Sequence, residues 1–212
     1  MNIVLIGASG FIGSALHKEA LARGHQVTAL VSNPSKIEPA PNLTVKRADV
    51  LDSAALREHL AGRDAVITAF SGHAQKDVRG YYMQGIRSIV ATVKQFPKLR
   101  LLAVGGAGSL EAAPGKQVVD DPGFHAAWKG SAEGARDALN LLRTEPELDW
   151  TMLSPSAVVS PGQRTGKFRL GGDQLLVGAN GKSEISVEDY AVAMIDELER
   201  PKHRRQRFTV GY

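Results

Sequence analysis

Three glycines spaced three apart, Gly7, Gly10 and Gly13, follow the apolar run Asn2-Ile3-Val4-Leu5-Ile6 and lead into the amphipathic stretch Phe11–Arg23. No other feature narrows the possible folds as sharply. A continuous apolar run of this length marks a strand buried on both faces, as in a parallel sheet covered by helices on each side. The spacing gives each glycine its own task. Gly7 makes the tight turn, Gly10 lets the backbone approach a ligand, and Gly13 lets the helix pack close to the strand. Free N–H groups at the helix start, reinforced by the helix dipole, attract an anion. Glycines also serve ordinary turns, so the reading depends on the strand before and the helix after. In that context Gly7, Ser9, Gly10, Phe11, Ile12 and Gly13 read as the pyrophosphate cradle of a dinucleotide-binding unit.

The rest of the chain repeats the same alternation of short β-branched runs and longer amphipathic stretches. Residues 26–31, 44–46, 65–69, 99–104 and 150–153 read as further strands. Met83, Ile86, Ile89, Val90 and Val93 recur at helical spacing and predict a helix over 81–95, ending before Pro97. Ala135, Ala138, Leu139 and Leu142 predict another over 131–143. Ser186 caps a last helix with Glu188 and Asp189 in its first turn, and 207–210 reads as a closing strand. Between them, 155–181 is rich in Gly and Pro and is expected over the carboxyl ends of the strands, where such sheets bind ligands. The fold class is therefore α/β, a Rossmann-type doubly wound parallel sheet. A single domain is expected over 1–212, with 1–153 as the cofactor-binding core and 154–212 as a substrate-side part.

Composition removes several classes of function. The 212 residues include no cysteine, which excludes a disulfide framework, thiolate metal sites and a cysteine nucleophile. The six histidines are scattered without ligand spacing, so no metal is assigned. No apolar stretch is long enough to span a membrane, and the opening run lacks a basic leader. A cytoplasmic protein is expected. The net charge of +4 comes entirely from the segment 202–207, Lys-His-Arg-Arg-Gln-Arg. Without it acids and bases balance, so a local cluster replaces the broad basic face that nucleic acid would need. That cluster reads as a solvated loop, with a phosphate or acidic-partner contact as the alternative.

Cofactor preference should be written at the end of the second strand. A site for NAD usually carries Asp or Glu there to hold the ribose 2′-hydroxyl. Here the segment runs Leu30-Val31-Ser32-Asn33-Pro34-Ser35-Lys36, with no acid before Glu38. Ser32, Asn33 and Lys36 could accept a 2′-phosphate, Lys36 as its cation, and NADP(H) is favoured over NAD(H). The alternative is a polar turn with a lysine facing solvent.

Four segments together resemble the atypical short-chain dehydrogenase/reductases. They are Gly7–Gly13, Asp49-Val50, Gly105-Gly106-Ala107-Gly108-Ser109 and Ile185-Ser186-Val187-Glu188-Asp189-Tyr190-Ala191. Within that family the chain is similar to the compact NAD(P)H-binding proteins grouped as NADH-flavin reductases, near the biliverdin reductase B and NmrA-like proteins. The likeness extends to Gly171-Gly172-Asp173 and the terminal Phe208-Thr209-Val210-Gly211-Tyr212. It implies that Asp49 and Val50 border the adenine, and that Ala69, Phe70, Ser71 and Gly72 line the adenosine ribose and phosphates. It also implies that Gly105, Gly106, Pro155, Ser156 and Ala157 lie near the nicotinamide, with Lys129 holding its ribose.

The sequence departs from the larger family at its proton donor. Ordinary members use Tyr-x-x-x-Lys, a phenol made acidic by lysine. None of Tyr81, Tyr82, Tyr190 or Tyr212 has a lysine four residues on, and the corresponding region reads His125-Ala126-Ala127-Trp128-Lys129. Hydride transfer to a flavin avoids the problem, since solvent can supply the proton and the protein need only hold two flat rings together. The expected function is thus an NAD(P)H-dependent reductase of a planar acceptor, a flavin or quinone. A non-catalytic redox sensor of the NmrA-like type is the alternative. Trp128, Phe124 and Phe70 are candidates to stack the acceptor, and His73 and His125 to donate to it. No residue is assigned as catalytic with certainty. Neither nucleic acid nor membrane is expected as a partner, and the chain should act as a monomer or homodimer.

Overall fold

The computed structural model describes residues 1–212. The chain begins β1 (Asn2–Ile6), α1 (Phe11–Ala22), β2 (Gln26–Val31), β3 (Leu43–Arg47), α2 (Ser53–Leu60) and β4 (Ala65–Thr68). It continues α3 (Val78–Val93), β5 (Arg100–Val104), β6 (Glu111–Ala113), β7 (Lys116–Gln117) and α4 (Ala126–Arg143). It ends β8 (Trp150–Ser154), β9 (Val158–Ser160), β10 (Arg169–Gly171), β11 (Glu184–Ser186), α5 (Val187–Glu199) and β12 (Gln206–Gly211). Eight strands form the main sheet in the order β10-β12-β8-β5-β4-β1-β2-β3. All its pairings are parallel except β10 against β12. The order reverses at β1, whose neighbours are β2 and β4. That reversal opens a crevice at the carboxyl ends of the strands.

Alternation along the strands builds two cores. Ile3 and Leu5 of β1 face one side with Val27, Ala29, Ala65 and Ile67, under Leu16 and Ala20 of α1 and Tyr190, Met194 and Ile195 of α5. Val4 and Ile6 face the other side with Leu30, Val66 and Leu101, under Leu56 of α2, Ile86 and Ile89 of α3 and Leu139 of α4. Burial on both faces explains why the strands are apolar throughout. No helix is long and apolar enough to cross a membrane.

Several boundaries differ from the sequence expectation. The helix α3 starts at Val78 because the Asp77 carboxylate accepts from the Gly80 N–H at 2.8 Å, a side-chain cap ahead of the apolar pattern. The helix α4 starts five residues early, at Ala126, where His125 Nδ1 accepts from the Ala127 N–H at 3.2 Å. The helix α2 is absent from the sequence reading because it is only eight residues long and buries just Leu56 and Leu60. The segment 154–212 is also more than a substrate-side region. Within it β12 pairs with β8 inside the main sheet, and α5 packs beside α1 in the first core. Two of the four cations in 202–207 are tied down, Arg204 to Asp149 and Arg207 to Asp173.

Candidate dinucleotide cleft

The loop between β1 and α1 shows which glycines the fold itself requires. Gly7 has φ +80°, and its N–H donates to the Leu30 carbonyl at 2.9 Å. A Cβ there would lie 2.6 Å from the Ala69 carbonyl oxygen. A Cβ on Gly13 would overlap the Gly7 carbonyl, 2.9 Å from its carbon and closer still to its oxygen. Gly10 is different. Its φ of −75° suits any residue, and a Cβ would approach only the Gly7 oxygen, at 3.3 Å. Gly10 is also the N-cap of α1, and no side chain caps that helix. The ladder begins with Ser14 N–H to the Gly10 carbonyl, so the N–H groups before it lie outside the ladder. The helix start thus leaves the N–H groups of Phe11, Ile12 and Gly13 open at the edge of a cleft of about 670 Å³, within the range for small-molecule and cofactor sites.

Three loops at strand ends and two helices form the walls. Ala69, Phe70, Ser71 and Gly72 come from the end of β4, Gly105 and Gly106 from the end of β5, and Pro155, Ser156 and Ala157 from the end of β8. Val78 and Tyr82 of α3, and Trp128, Ser131, Ala132 and Ala135 of α4, complete the lining. The four α4 residues are spaced to share one helix face. Gly106 has a packing reason for its lack of a side chain, since a Cβ would come within 2.9 Å of Ala135 Cβ. The half-buried Phe70 ring packs over Gly85 and lies parallel to Tyr82 at 6.2 Å between centroids, so it is a wall fixed by the core. Trp128 is 59% exposed and Phe11 51% exposed, both at the cleft mouth, and half-buried Phe124 lines it as well.

The other candidate residues divide by position. Phe11, Ile12 and His73 line the cleft, whereas half-buried Ser9 sits in the turn behind it. His125 and Lys129 are exposed and outside the lining. The reason is helical geometry: with Trp128 and Ser131 turned inward, Lys129 faces elsewhere, and His125 is used as the cap of α4. Ser32, Asn33 and Lys36 follow β2, beyond the cleft lining. The Asn33 Oδ1 accepts from the Ser35 N–H and hydroxyl at 3.1 and 2.8 Å, while exposed Lys36 carries no ion pair. Asp49 accepts from the Leu51 N–H at 2.9 Å, and Val50 is buried with its carbonyl accepting from Ser88 Oγ; neither lines the cleft. Sequence reading also passed over Arg47, which the β2–β3 register places beside Val31, next to the Ser32–Lys36 turn. Only strand pairing reveals that proximity.

Electrostatics around the cleft separate working groups from structural ones. The buried Tyr190 hydroxyl donates to the Leu153 carbonyl at 2.7 Å, and burial holds its phenol above the ordinary range. Ser109 is buried beside Arg207, whose guanidinium also holds Asp173. Asp189, at the start of α5, accepts from Thr165, Gly166 and Tyr212. Burial pushes its carboxyl up, but those hydrogen bonds outweigh burial and leave it below the ordinary value.

Comparison with known proteins fits this geometry. The NAD(P)H-binding family matches residues 7–201. The YwnB protein of Bacillus subtilis (strain 168) is 39% identical over 99% of this chain and 98% of its own length. A solved structure from Bacteroides thetaiotaomicron, described as a "putative epimerase", is 46% identical, covers 100% of this chain and 96% of its own, and superimposes with a TM-score of 0.92. Another from Streptococcus pneumoniae TIGR4, described as a "putative NADH-flavin reductase", is 32% identical, with coverage of 100% and 99% and a TM-score of 0.89.

Proposed function

Since the chain belongs to the NAD(P)H-binding family, we propose that it is a reductase that passes a hydride from NAD(P)H to a planar acceptor. A flavin is the leading acceptor, ahead of a quinone, and NADPH the preferred donor. The observation that carries the cofactor half is Gly10. Its neighbours Gly7 and Gly13 are glycines because the backbone leaves no room, whereas Gly10 has normal torsions and a Cβ there would press on one atom only, the Gly7 oxygen at 3.3 Å. Its bare surface at an uncapped helix start suits a pyrophosphate lying against the N–H groups.

In this reading Gly10, Phe11, Ile12 and Gly13 hold the phosphates, and the loops at 105–106 and 155–157 hold the nicotinamide end. When bound, the dinucleotide supplies the hydride, and the acceptor takes its proton from solvent. The chain positions the rings and shields them, a proximity effect. Trp128 offers an exposed flat face at the mouth for the acceptor. Two phenols of the kind that serve carbonyl chemistry are engaged elsewhere: Tyr190 with Leu153, Tyr212 with Ser186 and Asp189. The name of the Streptococcus pneumoniae relative points the same way. The test is steady-state oxidation of NADPH and NADH with FMN, FAD, a soluble quinone and small aldehydes. Turnover with flavin or quinone and little with aldehydes is expected. Tight NADPH binding without turnover of any acceptor would favour the redox-sensor reading instead.

A further inference from the structure

Tyr82 stands out among the side chains that line the cleft. It is only 7% exposed, yet its hydroxyl makes no hydrogen bond within the chain. Arg100 Nε and Asp149 Oδ1 are the fully enclosed side-chain polar atoms that lack a partner. Tyr82 Oη is not among these fully enclosed atoms, and the residue lines the cleft. A nearly buried hydroxyl without a partner is costly, and phenylalanine would fill the same space without that cost. The ring is also held in place. A Cβ on Gly134 of α4 would lie 3.1 Å from Tyr82 Cδ1, and one on Gly72 would lie 3.2 Å from Tyr82 Cβ. The Phe70 ring lies parallel to it. The phenol is therefore a fixed donor with nothing in the chain to donate to.

Its place in the sheet indicates what it would meet. The phosphate cradle sits at β1, and the 2′-phosphate candidates lie to one side, at β2 and β3. Tyr82 lies on the other side, beside the β4 loop and against Gly134 of α4, whose neighbour Ala135 meets Gly106, in the loop read above as the nicotinamide end. An acceptor entering from solvent meets Trp128 at the mouth, whereas Tyr82 is nearly covered. We propose that the Tyr82 hydroxyl donates a hydrogen bond to an oxygen at the nicotinamide end of the bound dinucleotide. The contact rests on the cofactor reading above. Burial keeps the phenol protonated far into the alkaline range, as a fixed donor requires.

The test compares Tyr82→Phe with the wild-type chain by calorimetric titration of NADPH and of adenosine 2′,5′-bisphosphate, which lacks the nicotinamide end. NADPH should bind about tenfold more weakly to the variant, with the bisphosphate unchanged. Equal affinity of both chains for NADPH overturns the proposal. So does equal loss for both ligands, which would make Tyr82 structural. An unchanged NADPH affinity with a raised KM for flavin overturns it too, because the hydroxyl would then face the acceptor. A wild-type chain that binds neither ligand defeats the cofactor reading itself. If the variant does not fold, 3-fluorotyrosine incorporated into the wild-type chain gives a second measurement. The resonance of Tyr82, identified by replacing the other three tyrosines singly, should shift with NADPH and stay in place with the bisphosphate. No shift, or the same shift with both, overturns the proposal.

Discussion

Valine at position 10 separates what the fold needs from what the ligand needs. Gly10 has φ −75° and ψ 172°, a conformation open to β-branched residues, and its Cβ would face one atom, the Gly7 oxygen, at 3.3 Å. A few tenths of an ångström of movement relieve that contact. Valine is a poorer N-cap than glycine, so Gly10→Val should cost about 1 kcal/mol. For a chain of this size that is a fall in Tm of about 2–4 °C. Binding should suffer more. The isopropyl group would stand where the pyrophosphate meets the helix start, and each charge-assisted hydrogen bond lost there costs about 1.5–3 kcal/mol. An affinity loss of at least tenfold, about 1.4 kcal/mol, is expected for NADPH and NADH alike.

Gly13→Ala provides the contrast, because its Cβ would overlap backbone that cannot swing aside. It should lower stability by about 1–3 kcal/mol or more whether or not a ligand is present. The assay is a melting curve paired with calorimetric titration of each cofactor. A folded Gly10→Val chain that binds both dinucleotides as tightly as wild type would refute the reasoning, since the open surface at Gly10 would then have nothing to do with phosphate.

Three further outcomes are expected. Lys36→Ala should weaken NADPH by about 1–2 kcal/mol and leave NADH almost unchanged, because the lysine is exposed, carries no ion pair and would meet only the 2′-phosphate; titration of both cofactors checks it. Trp128→Ala should raise the KM for flavin with little change in Tm, since an indole 59% exposed contributes little to the core. Asp189 has a folded pKa below its ordinary value, so its contribution to stability is present above that value and disappears as pH falls through the folded one. Asp189→Asn should therefore cost about 1–3 kcal/mol near neutral pH and flatten the acid side of a denaturant-derived stability profile.

Much of this architecture was legible because the strands are buried on both faces. Continuous apolar runs such as Ile3–Ile6 and Ala65–Ile67 suit a strand covered on each side and little else, and the glycine loop fixes the direction of the chain after the first of them. The elements missed are those held by capping or pairing. The helix α2 depends on the Asp52 cap and two leucines, and β10 is a strand because β12 lies beside it. The cleft was legible where the chain passes the sheet's carboxyl edge, as at Phe70 and Pro155. It was not legible where helix rotation decides, which is why Trp128 lines the cleft while Lys129 does not. Tyr82 shows the same limit. Its spacing from Ile86 and Ile89 makes it look like one more core residue, and only the packing of α3 against α4 makes it part of the cleft lining.

The two ends of the cleft answer to different constraints. Along the base, Gly7, Gly13 and Gly106 are fixed by atoms of the chain itself, so this backbone holds one shape. At the mouth, Phe11, Trp128 and Val158 are each more than half exposed and held by little besides their own helix or strand. Substitution there costs the fold little, so under the proposed function the acceptor contacts can change without disturbing the base of the cleft. A rim of exposed apolar groups is unfavourable in water unless something covers it. A flat apolar ring laid across Trp128 would cover that rim while leaving one edge free for solvent protons. Under the proposed function the choice of acceptor resides in rim side chains such as Trp128 and Val158, and exchanging these two should alter KM values for acceptors while NADPH affinity stays constant.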